Sequence, residues 1–242
     1  MPDDAEMPGQ AEIVAVPKEA EEWLPVSTVP AWRLTLMGIQ GTGKTWLVKE
    51  KLIPLFAPYY LVIDPNNEYE GFNRYIPKFG SDPEFYKKEI ELLVRKVIMP
   101  SCDTIEEQKA RGKRKVKALR LLVIEEADLL APSQKNMNPG MRHLVVVSRH
   151  LDLNIIFLSR RPTDLATYIM DTSDFIVTFK QTGNNAKKIL KNMSEGADKE
   201  ISKISFENHE FLYFTRDREY TQPSPDDLCD ILSKEAGLTP SA

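Results

Sequence analysis

The sequence predicts an α/β fold, with a central, mostly parallel sheet and helices on both of its faces. Three observations carry that prediction. In residues 32–48, WRLTLMGIQGTGKTWLV, a short apolar run of strand formers passes through a glycine-rich loop into helical spacing. Residues 59–63 (YYLVI), 119–124 (LRLLVI) and 154–158 (NIIFL) are nearly continuous apolar runs, as expected of strands covered on both faces. These runs alternate with helical segments, which calls for right-handed crossovers and parallel pairing. No internal repeat is visible.

At 242 residues, one large α/β domain or two small ones are possible, and a single domain accounts for residues 27–220. Residues 1–26 read as an acidic, flexible arm and residues 221–242 as a C-terminal tail. The net charge of −4 is unevenly spread: residues 1–22 carry −6 and residues 222–242 carry −3, so the middle of the chain is mildly basic at +5. The acidic whole is therefore no argument against a nucleic-acid partner. No apolar run reaches the ~18 residues of a membrane span, and the acidic N-terminus does not resemble a signal peptide. Cys102 and Cys229 lie far apart without metal-ligand spacing. A reduced, cytoplasmic setting is the expectation.

In chain order, Pro25 and Pro30 bias residues 22–31 towards an extended lead-in. Residues 32–37 form the first strand and 44–56 the helix after the glycine loop, with Pro54 near its end. After the strand at 59–63 comes Asp64-Pro65-Asn66-Asn67-Glu68-Tyr69, where Asp64 is either a ligand-edge carboxylate or a turn cap. A helix is expected over 82–95, capped by Asp82 with Pro83 at its first position, followed by a short strand at 97–99. Further helices are expected at 138–150, 163–170 and 184–193, and further strands at 174–179 and 210–215. The tail holds one short amphipathic segment.

Gly38-Ile39-Gln40-Gly41-Thr42-Gly43-Lys44-Thr45 fits G-x-x-x-x-G-K-[ST], the Walker A loop of P-loop NTPases. Its glycines let successive N–H groups curl around a phosphate. Lys44 can reach the β- and γ-phosphates of ATP, the Thr45 hydroxyl can ligate Mg²⁺, and the following helix points its positive end at the anion. The plainer alternative is a glycine turn between strand and helix. LLVIEEAD, at 121–128, has the Walker B form: Glu125 is the candidate metal ligand and Glu126 the base that orients and deprotonates the attacking water. Ser159-Arg160-Arg161-Pro162 ends the next strand, where Arg160 and Arg161 are candidates for a charge clamp on the γ-phosphate. Arg149 is a candidate arginine finger towards a neighbouring subunit, with Arg142 as the alternative. Lys109, Arg111, Lys113, Arg114, Lys115, Lys117 and Arg120 crowd seven cations into twelve residues. All but Arg120 are taken as candidate contacts to a DNA backbone. His143, His150 and His209 share no spacing and read as structural, and Trp23, Trp32 and Trp46 read as packing residues.

GIQGTGKTWL, VIDPNNEYEGF, LLVIEEADLL and RHLDLNIIFLSRRPTDL, in this order, resemble the HerA/FtsK superfamily of DNA-pumping P-loop ATPases over roughly residues 32–180. Arg149 falls where that family has its helix arginine, and Arg161 and Pro162 match its sensor-strand motif. Arg160 stands where the family has glutamine, and Glu125 where aspartate is usual. The resemblance implies a single ASCE/RecA-like P-loop domain that hydrolyses ATP with Mg²⁺ while translocating double-stranded DNA as a homo-oligomeric ring, hexamer or pentamer. The chain's length is most like that of the genome-packaging ATPases of membrane-containing double-jelly-roll viruses. That likeness implies capsid vertex proteins as partners, and the host cytoplasm or the virion as location. A plasmid, conjugative or cellular DNA pump is the nearer alternative. A regulatory ATPase that switches a protein partner without DNA is the one from another class.

Overall fold

The computed structural model describes residues 30–78, 83–102, 119–205 and 209–238. Eight described strands form one sheet: β1 (Arg33–Met37), β2 (Tyr60–Ile63), β3 (Arg74–Tyr75), β4 (Leu121–Ile124), β5 (Asn154–Ser159), β6 (Phe175–Phe179), β7 (Phe211–Phe214) and β8 (Tyr220–Thr221). Their order is β3-β2-β4-β5-β1-β6-β7-β8. Every pairing from β3 to β6 is parallel, and β7 and β8 join antiparallel.

The central strands are buried on both faces because their side chains alternate between two apolar layers. Leu121, Val123, Ile156 and Leu158 point to one layer, while Leu122, Ile124, Ile155 and Phe157 point to the other. Helices α2 (Pro83–Leu93), α4 (Pro139–Val147), α5 (Thr167–Thr172), α6 (Asn184–Met193) and α7 (Ala197–Lys203) cover the second layer, and α3 (Ala127–Leu130) also reaches it. Helix α1 (Lys44–Leu47) and α8 (Pro225–Glu235) cover the first. Leu228 and Leu232 of α8 are fully buried, and the Trp32 indole donates to the Leu232 carbonyl at 3.2 Å. The amphipathic segment expected in a tail is thus a core helix, and the folded unit runs past residue 220.

Three expectations need correction. Residues 97–99 are helical rather than a strand: α2 continues through a wide turn at Val94–Ile98 and a tight one at Met99–Ser101. Val94 and Ile98 extend the buried stripe of Leu93, so packing favours helix over a three-residue strand. The helix expected from residue 163 begins at Thr167, because Asp164 N–H turns back to the Arg161 carbonyl and Ala166 N–H is taken by the Ala131 carbonyl. The helix over residues 44–56 is regular only at first, widening at Val48–Leu52 and tightening at Ile53–Phe56, where Pro54 lacks an N–H for the ladder. Strands β3 and β8 and helices α3 and α7 are additions to the elements expected from the sequence. Asp82, the acidic arm and the cationic stretch from Lys109 to Lys117 lie outside the described residues.

The two ends of the parallel strands differ in role. Where the strands begin, Asn154 accepts from Trp32 N–H at 2.9 Å and donates to the Arg120 carbonyl at 3.1 Å. Arg120 pairs with Asp152 at 3.3 Å with both side chains buried, so this cation is structural and stands apart from its six neighbours in sequence. On this side too, Leu119 N–H meets the Ser101 carbonyl at 2.8 Å. The opposite side carries the glycine loop.

Candidate active site

The loop after β1 is shaped by what its glycines exclude. A Cβ on Gly38 would lie 2.6 Å from Thr42 Oγ1 and 2.7 Å from Phe179 Cβ. Gly43 has φ of +102° and packs against the His209 ring, where a Cβ would come within 2.6 Å of Nδ1. Side chains brace the turn from within: Thr42 Oγ1 donates to the Ile39 carbonyl at 2.8 Å, and Lys44 Nζ to the carbonyls of Gly38 at 2.6 Å and Ile39 at 3.3 Å. Gly43 caps α1 without a side chain, leaving the first helical N–H groups directed into the loop.

Strands β2 and β4 bring carboxylates to the same side. Asp64, fully buried, accepts from Glu68 N–H at 2.9 Å, from Tyr69 N–H at 2.8 Å and from Arg74 at 3.1 Å. It folds the loop and is spent in doing so, which decides for the turn-forming role of Asp64. The loop it folds delivers Glu68 and Tyr69. Tyr69 Oη donates to Glu125 at 2.6 Å, and Thr45 Oγ1 lies 3.2 Å from Glu68 and 3.5 Å from Glu125. Burial pushes the Glu125 carboxyl up to about 7, with the Tyr69 hydrogen bond and Lys44 pulling the other way and Glu68 and Glu126 adding to the rise. Burial likewise lowers Lys44, and Glu125, Glu126 and Glu68 oppose it.

Glu126 turns out of β4 in the left-handed region, with φ of +47°, an unfavourable conformation for a side chain of this size. Its carboxylate is held by Arg160 Nε at 3.3 Å and by Asn66 Nδ2 at 3.4 Å. Arg160 arrives because β5 lies directly beside β1, with Ser159 in register with Met37. A cavity of about 580 Å³ brings together Gln40, Lys44, Thr45, Glu125, Glu126 and Arg160.

Other candidates fall elsewhere. Arg161 lines a separate cavity with Ile39 and the start of α6. Arg149 lies at the far end of the strands, 2.5 Å from Asp174, which it shares with Arg33 and Arg216. Arg142 donates to the Gln134 carbonyl. The six cations proposed for DNA lie outside the described residues. Sequence reasoning missed Asn66, Glu68 and Tyr69, whose signal was the polar run at the end of β2. Trp46, read as a packing residue, stacks on His209 with ring centroids 5.5 Å apart, and at 39% exposure it also lines the cavity.

No protein-family model and no curated protein matches the chain. Among solved structures it is similar to the genome packaging NTPase B204 from Sulfolobus turreted icosahedral virus 2. In complex with AMPPCP, that protein superposes with a TM-score of 0.60 at 18% identity, over 81% of this chain and 98% of that one. Its complex with AMP gives 0.59 at 18% identity over the same shares. B204, the DNA-packaging ATPase from Sulfolobus Turreted Icosahedral Virus, gives 0.59 at 16% identity, over 82% of this chain and 99% of that one. The fold is that of a P-loop NTPase.

The residues present fit a Mg²⁺ ion. Thr45, Glu125 and Glu68 supply hard oxygen donors converging on one point beside the glycine loop. Among the described residues no cluster of three or more His, Cys, Asp or Glu suggests a dedicated metal cage. No described helix is long and apolar enough to cross a membrane.

Proposed function

We propose that the chain is an ATP-hydrolysing motor that translocates double-stranded DNA, a viral genome-packaging ATPase acting as a homo-oligomeric ring. The observation that carries this reading is the cavity in which Lys44, Thr45, Glu125, Glu126 and Arg160 meet. The likeness to B204 over nearly that protein's whole length supports the packaging role.

In this reading the loop amides and Lys44 hold the β- and γ-phosphates. Thr45 and Glu125 are the residues that would hold Mg²⁺, and Tyr69 orients the Glu125 carboxylate towards it. Mg²⁺, when bound, neutralises charge on the phosphates. Glu126 orients a water for attack and accepts its proton. Its carboxylate pairs with Arg160 at 3.3 Å, and the γ-phosphate competes for that arginine, so one cation serves both the resting pair and the transferring group. The adenine rests on Trp46 at the cavity wall, with His209 backing the ring from behind. Residues 109–117 contact the DNA backbone, and capsid vertex proteins are the docking partners in the host cytoplasm.

Steady-state ATP turnover with and without duplex DNA tests the reading. Wild-type protein should be stimulated by DNA of any sequence, and Lys44→Ala should abolish both basal and stimulated turnover. Turnover indifferent to DNA would instead favour an ATPase that switches a protein partner.

A further inference from the structure

The loop after β2 gives each of the two acids that follow β4 a hydrogen-bond donor of its own. Tyr69 Oη reaches Glu125 at 2.6 Å, and Asn66 Nδ2 reaches Glu126 Oε1 at 3.4 Å. The backbone around Asn66 is well anchored. Buried Asp64 accepts from the amides of Glu68 and Tyr69, its own carbonyl accepts from Asn67 N–H at 3.5 Å, and Asn67 takes a φ of +58°. Asn66 itself is exposed and lines the cavity of about 580 Å³. Donation to a carboxylate fixes which end of its amide is the nitrogen, so Oδ1 is the end left over. Among the described residues the Asn66 side chain makes no other hydrogen bond. The two oxygens of Glu126 also differ: Oε2 is buried and faces Arg160 Nε at 3.3 Å. A covered oxygen cannot meet water, which leaves Oε1, the one Asn66 touches, to take a proton.

A water that attacks phosphorus must present a lone pair to it, so both of its hydrogens need acceptors that point away. A carboxylate supplies one. The other must accept without adding charge to a cavity wall that already holds Glu68, Glu125 and Glu126. A neutral amide oxygen meets that need. We propose that Asn66 is a catalytic residue of the hydrolysis, which orients the attacking water together with Glu126. Its Nδ2 holds Glu126 Oε1 in place, and its Oδ1 accepts one hydrogen of the water while Oε1 accepts the other. As the water oxygen bonds to the γ-phosphorus, the bond from that phosphorus to the β–γ bridging oxygen breaks and its electron pair leaves with ADP. The proton shed by the water goes to Oε1. One loop thus serves both acids, with Tyr69 on the one assigned to the metal and Asn66 on the base. This role rests on the ATPase reading above and on Glu126 as its base.

Single-turnover ATP hydrolysis by the full chain tests this, alongside calorimetric binding of AMPPCP and of ADP with aluminium fluoride, which mimics the transferring phosphoryl group and its water. Asn66→Ala should lower the single-turnover rate by about 10- to 100-fold and weaken the ADP–aluminium fluoride complex by a similar factor, while AMPPCP affinity stays within about twofold. Asn66→Gln, which keeps the amide on one more methylene, should recover part of the loss. A residue that only shaped the loop would move AMPPCP and the transition-state mimic alike, because the same loop carries Glu68 and Tyr69. Equal loss of both ligands, or a wild-type hydrolysis rate in Asn66→Ala, would overturn the role of Asn66 and leave the ATPase reading standing. Wild-type protein that binds AMPPCP but hydrolyses no ATP would overturn the ATPase reading, and this role with it.

Discussion

Glu125 and Glu126 are neighbours in sequence and opposites in surroundings. Glu125 is buried against Tyr69 and Thr45, whereas Glu126 swings out on a left-handed residue to meet Arg160 and Asn66. Glu126→Gln should keep nucleotide and Mg²⁺ binding but lose hydrolysis, because an amide cannot take the water's proton. Glu125→Gln should weaken Mg²⁺-dependent nucleotide binding; a swap of the two phenotypes, read by binding and single-turnover assays, would reverse the assignment. The environment of Glu125 also makes a pH prediction. Its carboxyl is raised from 4.5 to about 7, so the folded chain holds a proton there that the unfolded chain has lost. The stabilising contribution is complete below about 4.5, declines as pH rises to about 7, and is gone above it. The span is at most about 3 kcal/mol. Urea midpoints of metal-free protein should show this slope between about pH 4.5 and 7, and Glu125→Gln should flatten it. The sequence marked both acids as chemical; which of them would be buried depended on Tyr69, fifty-six residues away.

At the scale of elements, the strands were legible because double burial leaves a plain signature: β2, β4, β5 and β6 each fall within an apolar run. Short edge strands such as β3 carry too few residues to show a period, and α8 looked like a tail because only two of its apolar residues, Leu228 and Leu232, are fully buried. The loop after β2 was visible as polar, but its purpose was not, since Asp64 gathers it by hydrogen bonds that composition does not reveal. Residues 109–117 carry the densest run of cations in the sequence. Replacing Lys113, Arg114 and Lys115 with alanine should lower the slope of log affinity against log salt on duplex DNA by roughly 0.9 for each phosphate no longer neutralised. Basal ATPase should stay near wild type. An unchanged slope would move the DNA interface elsewhere, with Lys187, Lys188 and Lys191 of α6 next in line.

On the scale of the whole molecule, the sheet separates its two chemistries. The ATP cavity lies at the carboxyl ends of the parallel strands, and Arg149 lies with Asp174 at the other ends. A finger so placed cannot serve its own cavity, and head-to-tail packing in a ring would offer it to the next subunit. Mixing Arg149→Ala with Glu126→Gln subunits should then restore part of the ATPase activity, because some interfaces regain both groups. No recovery in rings shown to be mixed would sink the trans role and leave Arg149 as one of three arginines that neutralise Asp174. The sequence by itself determined the α/β class, the phosphate loop, the paired acids and the strand that carries Arg160. Each of these is written in contiguous residues whose spacing the backbone geometry dictates. The tertiary structure alone decided that Tyr69 and Glu68 join Glu125, that Trp46 leans on His209, and that Arg160 and Arg161 part to different cavities. Those outcomes depend on which loops a parallel sheet brings to one side, and adjacent residues leaving a strand point to opposite faces of it.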